Sequence, residues 1–190
     1  MMCMKTYYWF NRNRFLSHLR TSFCALAIVG ASLTLPSAEA DRPGTITGGF
    51  APCFNFLSVE YFPPGSGPQD FRTAIITFNV TAEITGDFIG QLEGTEVDVI
   101  HGHDGSINLH GTLLFNGSFG ERSGTFVFTY NGIGNAVTGH ETLNFTGTQG
   151  TEGLAGIYTQ GTAVGDLVPG TEDCPIAGAG TYTGQIVFAP

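Results

Sequence analysis

Past residue 40 the sequence has no lysine and no tryptophan, and only three arginines (Arg42, Arg72 and Arg122) against fifteen acids. Residues 41–190 therefore carry a net charge of −12 with histidine neutral. A chain so acidic repels phosphate backbones and anionic headgroups, which argues against nucleic acid or an acidic membrane surface as partner. Long apolar runs are missing as well. The longest, Phe23 to Leu35, has thirteen residues, short of the roughly twenty that a membrane-crossing helix needs, so no membrane anchor is expected. Cysteine is scarce, with Cys3, Cys24, Cys53 and Cys174 only. Apolar spacing of the helical kind is absent after residue 40.

The run that does exist belongs to a leader. Lys5, Arg12, Arg14 and Arg20 form a positive stretch ahead of it, and Ala38-Glu39-Ala40 supplies the small-x-small pattern a signal peptidase reads. Residues 1–40 are accordingly expected to be a signal-peptide helix and residues 41–190 a single exported domain, secreted or periplasmic. Cys53 and Cys174 remain after cleavage, and two cysteines in an oxidising compartment are expected to pair.

What is abundant is glycine and phenylalanine, twenty-seven and thirteen of them beyond residue 40. Between glycine turns, the chain alternates with the period of two that marks half-buried strands. Ile76, Phe78, Val80 and Ala82 share one face of a strand over 73–84. Phe126, Phe128 and Tyr130 share one face over 125–130, and Glu141, Leu143 and Phe145 one face over 138–146. Further strands are expected over 54–62, 88–103 (irregular, with bends at Gly90 and Gly94), 106–115, 154–162 and 182–188. Residues 41–52 read as an extended lead-in. Pro63 to Pro68 is a loop, and Asp104-Gly105 is the strongest hairpin signal. Eight sequential strands with short connections favour a closed antiparallel up-and-down barrel, which leaves no unpaired edge; a sandwich is the alternative.

Gly86-Asp87-Phe88-Ile89-Gly90, the Asp104-Gly105 turn, Gly117 through Val127, Gly132, and Gly153-Leu154-Ala155-Gly156 followed by Gly161 resemble the allene oxide cyclase-like barrel superfamily, nearest to its bacterial branch of proteins of unknown function. The resemblance spans about residues 73–188 and rests on turn and strand motifs. It implies an eight-stranded barrel with an apolar interior, and it implies that a cofactor-free isomerisation or cyclisation could take place there. Leu57-Ser58-Val59-Glu60-Tyr61 resembles the strand that carries a catalytic carboxylate in the plant cyclases, which makes Glu60 the one position carried over. Biotin-binding barrels and lipocalins are disfavoured because both rely on tryptophan.

Acid–base chemistry in a barrel needs a carboxylate held among apolar groups. Glu60 and Glu141 are the candidates, with Glu83 a further strand acid. Phe78, Val80, Phe126, Phe128, Tyr130 and Phe145 are the expected ligand-lining side chains. His101, His103, Asp104 and His110 fall on one face if Asp104-Gly105 forms a two-residue hairpin pairing His103 with Ser106 and His110 with Val99. We read them as a solvated surface rather than a metal site. No cofactor or metal is expected, no phosphate loop is present, and oligomeric state is not legible. Asn79, Asn116 and Asn144 begin Asn-x-Ser/Thr sequons. Two functions remain. One is a barrel that binds a small apolar molecule, with or without cofactor-free isomerase chemistry. The other is a structural or surface-interaction protein whose barrel is packed solid. An enclosed volume on the order of 300 Å³ with an inward carboxylate would mark the first.

Overall fold

In the computed structural model, which describes residues 42–189, strand follows strand: β1 (Gly44–Phe62), β2 (Thr73–Gly86), β3 (Phe88–His101), β4 (Ser106–Phe119), β5 (Arg122–Asn135), β6 (His140–Thr148), β7 (Ile157–Val168) and β8 (Ile176–Phe188). Each pairs antiparallel with the next, and β1 pairs with β8, so the sheet closes into a barrel in sequence order. The only helical segment among the described residues is a 3₁₀ turn at Glu152–Leu154. The signal peptide expected over residues 1–40 lies outside the described residues.

The strands are longer than the alternation alone suggests. The expected lead-in 41–52 is half of β1: Gly44 through Phe50 pair with β8, and Gly48 through Pro52 also pair with β2. The stretch expected to turn between Gly117 and Gly124 stays paired down to Phe119 and Arg122, which leaves Gly120-Glu121 as the turn. Gly120 has φ +57°, the left-handed conformation that the first central residue of a II′ turn requires. The β3–β4 hairpin is looser than expected. His110 pairs with Val97 and Ile100 with Ile107, two residues out of step with the two-residue-turn pairing. The loop is Gly102 to Gly105, held by Asp104, whose carboxylate accepts from the Ser106 amide (3.0 Å) and hydroxyl (2.7 Å).

The barrel has two unlike ends. At one end lie the β2–β3 and β4–β5 turns, the 3₁₀ segment and both described termini. There the interior is plugged by aromatic rings: Phe88, Phe115 and Phe126 pack mutually with centroids 4.6–5.5 Å apart. Phe119 and Phe188 extend the plug, and the Arg122 guanidinium covers the Phe188 ring at 4.1 Å. At the other end lie the longer β1–β2, β3–β4, β5–β6 and β7–β8 loops. A disulfide between Cys53 of β1 and Cys174 of the β7–β8 loop, with Cα atoms 5.6 Å apart, joins the walls there. That bond points to an oxidising, extracytoplasmic compartment. No helix among the described residues is long and apolar enough to cross a membrane.

Candidate functional site

The inward faces follow from parity. On β2, Phe78, Val80, Ala82 and Ile84 are buried, and the pairing of β2 with β3 sets Glu96 opposite Phe78 and Asp98 opposite Ile76. Even-numbered residues of β3 therefore face the interior, and two of them are acids, 3% and 5% exposed. On β6, Glu141 shares the inward face with Leu143 and Phe145, as its alternation predicts, and is half-buried. Three carboxyl groups thus enter the barrel from two strands, toward the loop end.

A glycine makes their one strong hydrogen bond possible. Glu96, Gly111 and Tyr130 occupy a single rung across β3, β4 and β5. A side chain at Gly111 would overlap the Tyr130 ring. Without one, the ring lies across β4 and its hydroxyl donates to Glu96 Oε2 at 2.6 Å, both groups buried. The same device recurs at Gly48, over which Tyr182 of β8 reaches β2 and β3: its hydroxyl accepts from the Phe88 amide (3.1 Å) and donates to the Thr85 carbonyl (3.2 Å).

Electrostatically the cluster is little compensated: exposed His140 beside Glu141 is its positive neighbour. Burial, then the charge of Asp98, pushes Glu96 up to about 9 despite the Tyr130 hydrogen bond. Burial raises Asp98 to about 6, and the neighbouring Glu96 side chain favours its ionised form, which holds it below Glu96. Burial and the charge of Asp98 raise Glu141 to about 7. Tyr130 is pushed upward by burial and by Glu96, so it acts only as a donor. Near neutral pH the cluster therefore keeps protons that free carboxyls would have lost, Glu96 most firmly. Asp98 Oδ1 is buried without a hydrogen-bond partner. None of the three described arginines is buried.

Glu96, Tyr130 and Glu141 are among the side chains that line an internal void of about 60 Å³ whose lining is otherwise mainly apolar, including Val80, Leu92, Leu113, Phe128 and Phe145. A smaller void of about 20 Å³ shares Phe50, Pro52, Phe54, Glu141 and Leu143 with it and continues toward Leu167 and Gly178 at the loop end. On the scale where one water needs roughly 10–15 Å³, the main void holds a few waters or one compact molecule. It falls well short of the roughly 300 Å³ typical of drug-sized sites.

Of the side chains expected to line a ligand, Val80, Phe128, Tyr130 and Phe145 do line the void. Phe126 belongs to the aromatic plug, and Phe78 packs edge-on against Phe54 at 5.7 Å. Glu60 stands apart. A β-bulge between Phe56 and Ser58 leaves Leu57 without a partner, so that Glu60 pairs with Ile75 and points outward, exposed. His101, His103 and His110 lie on the outer wall or in the loop. His101 Nε2 is 3.3 Å from the Asn108 amide nitrogen, and His110 is exposed. Among the described residues, no three His, Cys, Asp or Glu are grouped as metal ligands. Alternation on β6 identified Glu141. Glu96 and Asp98 were missed, because only the observed β2–β3 register turns them inward.

No curated protein matches the chain. Among solved structures, the crystal structure at 1.84 Å of a protein with unknown function from the DUF3224 family of Shewanella oneidensis MR-1 aligns with a TM-score of 0.52 and 16% identity, covering 78% of this chain and 99% of that one. At that identity the likeness is one of fold. Residues 58–167, more than half the chain and inclusive of Glu96, Asp98, Tyr130 and Glu141, match the family described as "Protein of unknown function (DUF3224)"; the chain belongs to that family.

Proposed function

We propose that this chain is an exported barrel that binds a small, compact, largely apolar molecule in its interior, with the polar end of that molecule at Glu96 and Glu141. The observation that carries the proposal is the coincidence of an apolar void with inward carboxyls on its wall. A barrel selected only for packing would place apolar groups there, because a buried carboxyl with incomplete hydrogen bonding costs about 1–3 kcal/mol or more. Export is supported by the Cys53–Cys174 bond and by the apolar run and Ala38-Glu39-Ala40 of the leader. The closed antiparallel order supports a relation to the allene oxide cyclase-like barrels at the level of fold.

A catalytic version has its own support in Glu141. A carboxyl pushed up to about 7 beside an apolar void is poised to take and return a proton. Cofactor-free isomerisation by proton transfer at a carbon adjacent to a carbonyl is the matching reaction class. Glu141 would be the group that moves the proton, and protonated Glu96, held in place by the Tyr130 hydroxyl, would be the donor facing a developing oxyanion.

Native mass spectrometry of the protein purified from its own host tests the binding reading. A bound species that is retained by wild type and lost when Val80→Phe fills the void supports it. Spectra that show apoprotein alone, from protein never unfolded or extracted, argue for the packed structural barrel instead.

A further inference from the structure

We propose that the acidic cluster of Glu96, Asp98 and Glu141 is the receptor for a primary ammonium group, so that the molecule the barrel takes up is a compact aliphatic amine. The inference rests on the binding reading above and adds the ligand's charge and class.

Four observations converge. The void is lined by Glu96 from β3 and Glu141 from β6 amid side chains that are mostly hydrocarbon, a lining that fits a short alkyl chain with one polar end. Asp98, the next inward residue of β3, is 95% buried and its Oδ1 accepts no hydrogen bond, an orphan that native interiors seldom keep without a partner. Among the described residues no buried cation answers the cluster: there is no lysine, Arg42, Arg72 and Arg122 are all exposed, and His140 beside Glu141 is exposed as well. No three His, Cys, Asp or Glu among the described residues are grouped to hold a metal ion. An ammonium head is less demanding. It offers three N–H donors that reach acceptors at about 2.8 Å, and its methylene stem fills the apolar side that a bare ion would leave empty.

Protons and the amine then compete for the same oxygens. Around the cluster, β3 contributes Glu96 and Asp98, β5 Tyr130, and β6 Glu141 with His140 beside it. At the same rungs β2 contributes Phe78 and Ile76, and β4 contributes Gly111 and Leu109. The raised carboxyls must release protons for the head group to seat. Binding therefore strengthens from pH 5 to pH 8, a range in which an alkyl ammonium stays charged.

The test is calorimetry with n-butylamine and n-butanol on the oxidised, leader-free protein. The amine is expected to bind more tightly than the alcohol at pH 8. Its affinity should fall toward pH 5, and its enthalpy should change with buffer in the sense of proton release. Glu141→Gln and Glu96→Gln, each verified folded by circular dichroism, should weaken the amine about tenfold, the value of one charge-assisted hydrogen bond, and weaken the alcohol much less. Alcohol bound as tightly as amine, or an amine indifferent to both substitutions, overturns the ammonium assignment while the apolar-cavity reading stands. Binding of neither probe overturns the assignment too, and the cavity reading is then decided by the native mass spectrum alone.

Discussion

Glu96 keeps its proton into the neutral range because burial, Asp98 and Glu141 all oppose its charge, and the single Tyr130 hydrogen bond only partly offsets them. The consequence for stability has a definite sign. A carboxyl whose folded pKa is raised costs nothing where both states are protonated, below its ordinary value near 4.5. As pH rises, the unfolded chain ionises first, and the native state loses about 1.4 kcal/mol per pH unit for each proton it alone retains. The loss begins in the acid range and accumulates through about 6 for Asp98 and about 7 for Glu141. It ends near 9 for Glu96. Urea unfolding at pH 5, 7 and 9 should therefore show the barrel most stable at pH 5. In Glu96→Gln the amide oxygen still accepts from Tyr130, but no proton is left to lose. Its curve should lie flatter by up to one proton's slope between pH 7 and 9, the window in which Glu96 is the main retained proton. Parallel pH profiles for the two proteins would show that Glu96 ionises freely.

At the scale of the strand, what decides function is which face each residue takes, and parity sets that. Alternation read β2, β5 and β6 correctly, because each carries apolar residues on one face and polar ones on the other. That is how Glu141 was legible. On β3 both faces hold apolar residues, with Leu92 and Ile100 on one and Val97 and Val99 on the other, so alternation cannot choose. The register across Gly86-Asp87 chooses instead. A simple two-residue turn would pair Thr85 with Phe88 and send Glu96 outward; the observed pairing of Ile84 with Gly90 sends it inward. One extra residue had the opposite effect on β1, where the bulge at Leu57 turned Glu60 away. A single-residue slip reverses a strand, and neither slip leaves a mark in composition. Gly111 was equally silent in sequence, since its role depends on a tyrosine one strand away. Gly111→Ala should displace the Tyr130 ring, break its bond to Glu96 and destabilise the barrel by about 1–3 kcal/mol. Tyr130→Phe in the same background should add little further loss, because the bond it removes is already gone. Full additivity of the two substitutions in a double-mutant cycle would show that glycine and tyrosine act separately.

Across the whole molecule, the plugged end and the acidic end are stabilised by different means. The plug rests on ring packing that buries Phe115 and Phe126 almost completely. At the loop end β1 and β8 part after Phe54 and Ile176, the last pair they form, and β1 continues to Phe62 paired with β2 alone. The Cys53–Cys174 bridge sits at that parting, in the wall that borders the smaller void beside Glu141. Its sequence separation of 121 residues gives the bridge up to about 5 kcal/mol of stabilisation in the chain-entropy description. Position adds a local effect to that global one. With Cys53→Ser and Cys174→Ser combined, the unfolding free energy should fall by up to that amount. In native-state hydrogen exchange, the amides of Phe54, Ile176 and Ala177 should open well before the global event, while those of Phe115 and Phe126 continue to exchange only through it. The alkyl-amine site would then change in the same variant, since Glu141 shares its wall with residues of β1, and faster release of n-butylamine with an intact plug would place the route into the barrel at the bridged end. Equal loss of protection at both ends would instead mean that the bridge acts only on the unfolded chain and that the two ends of the barrel open as one unit.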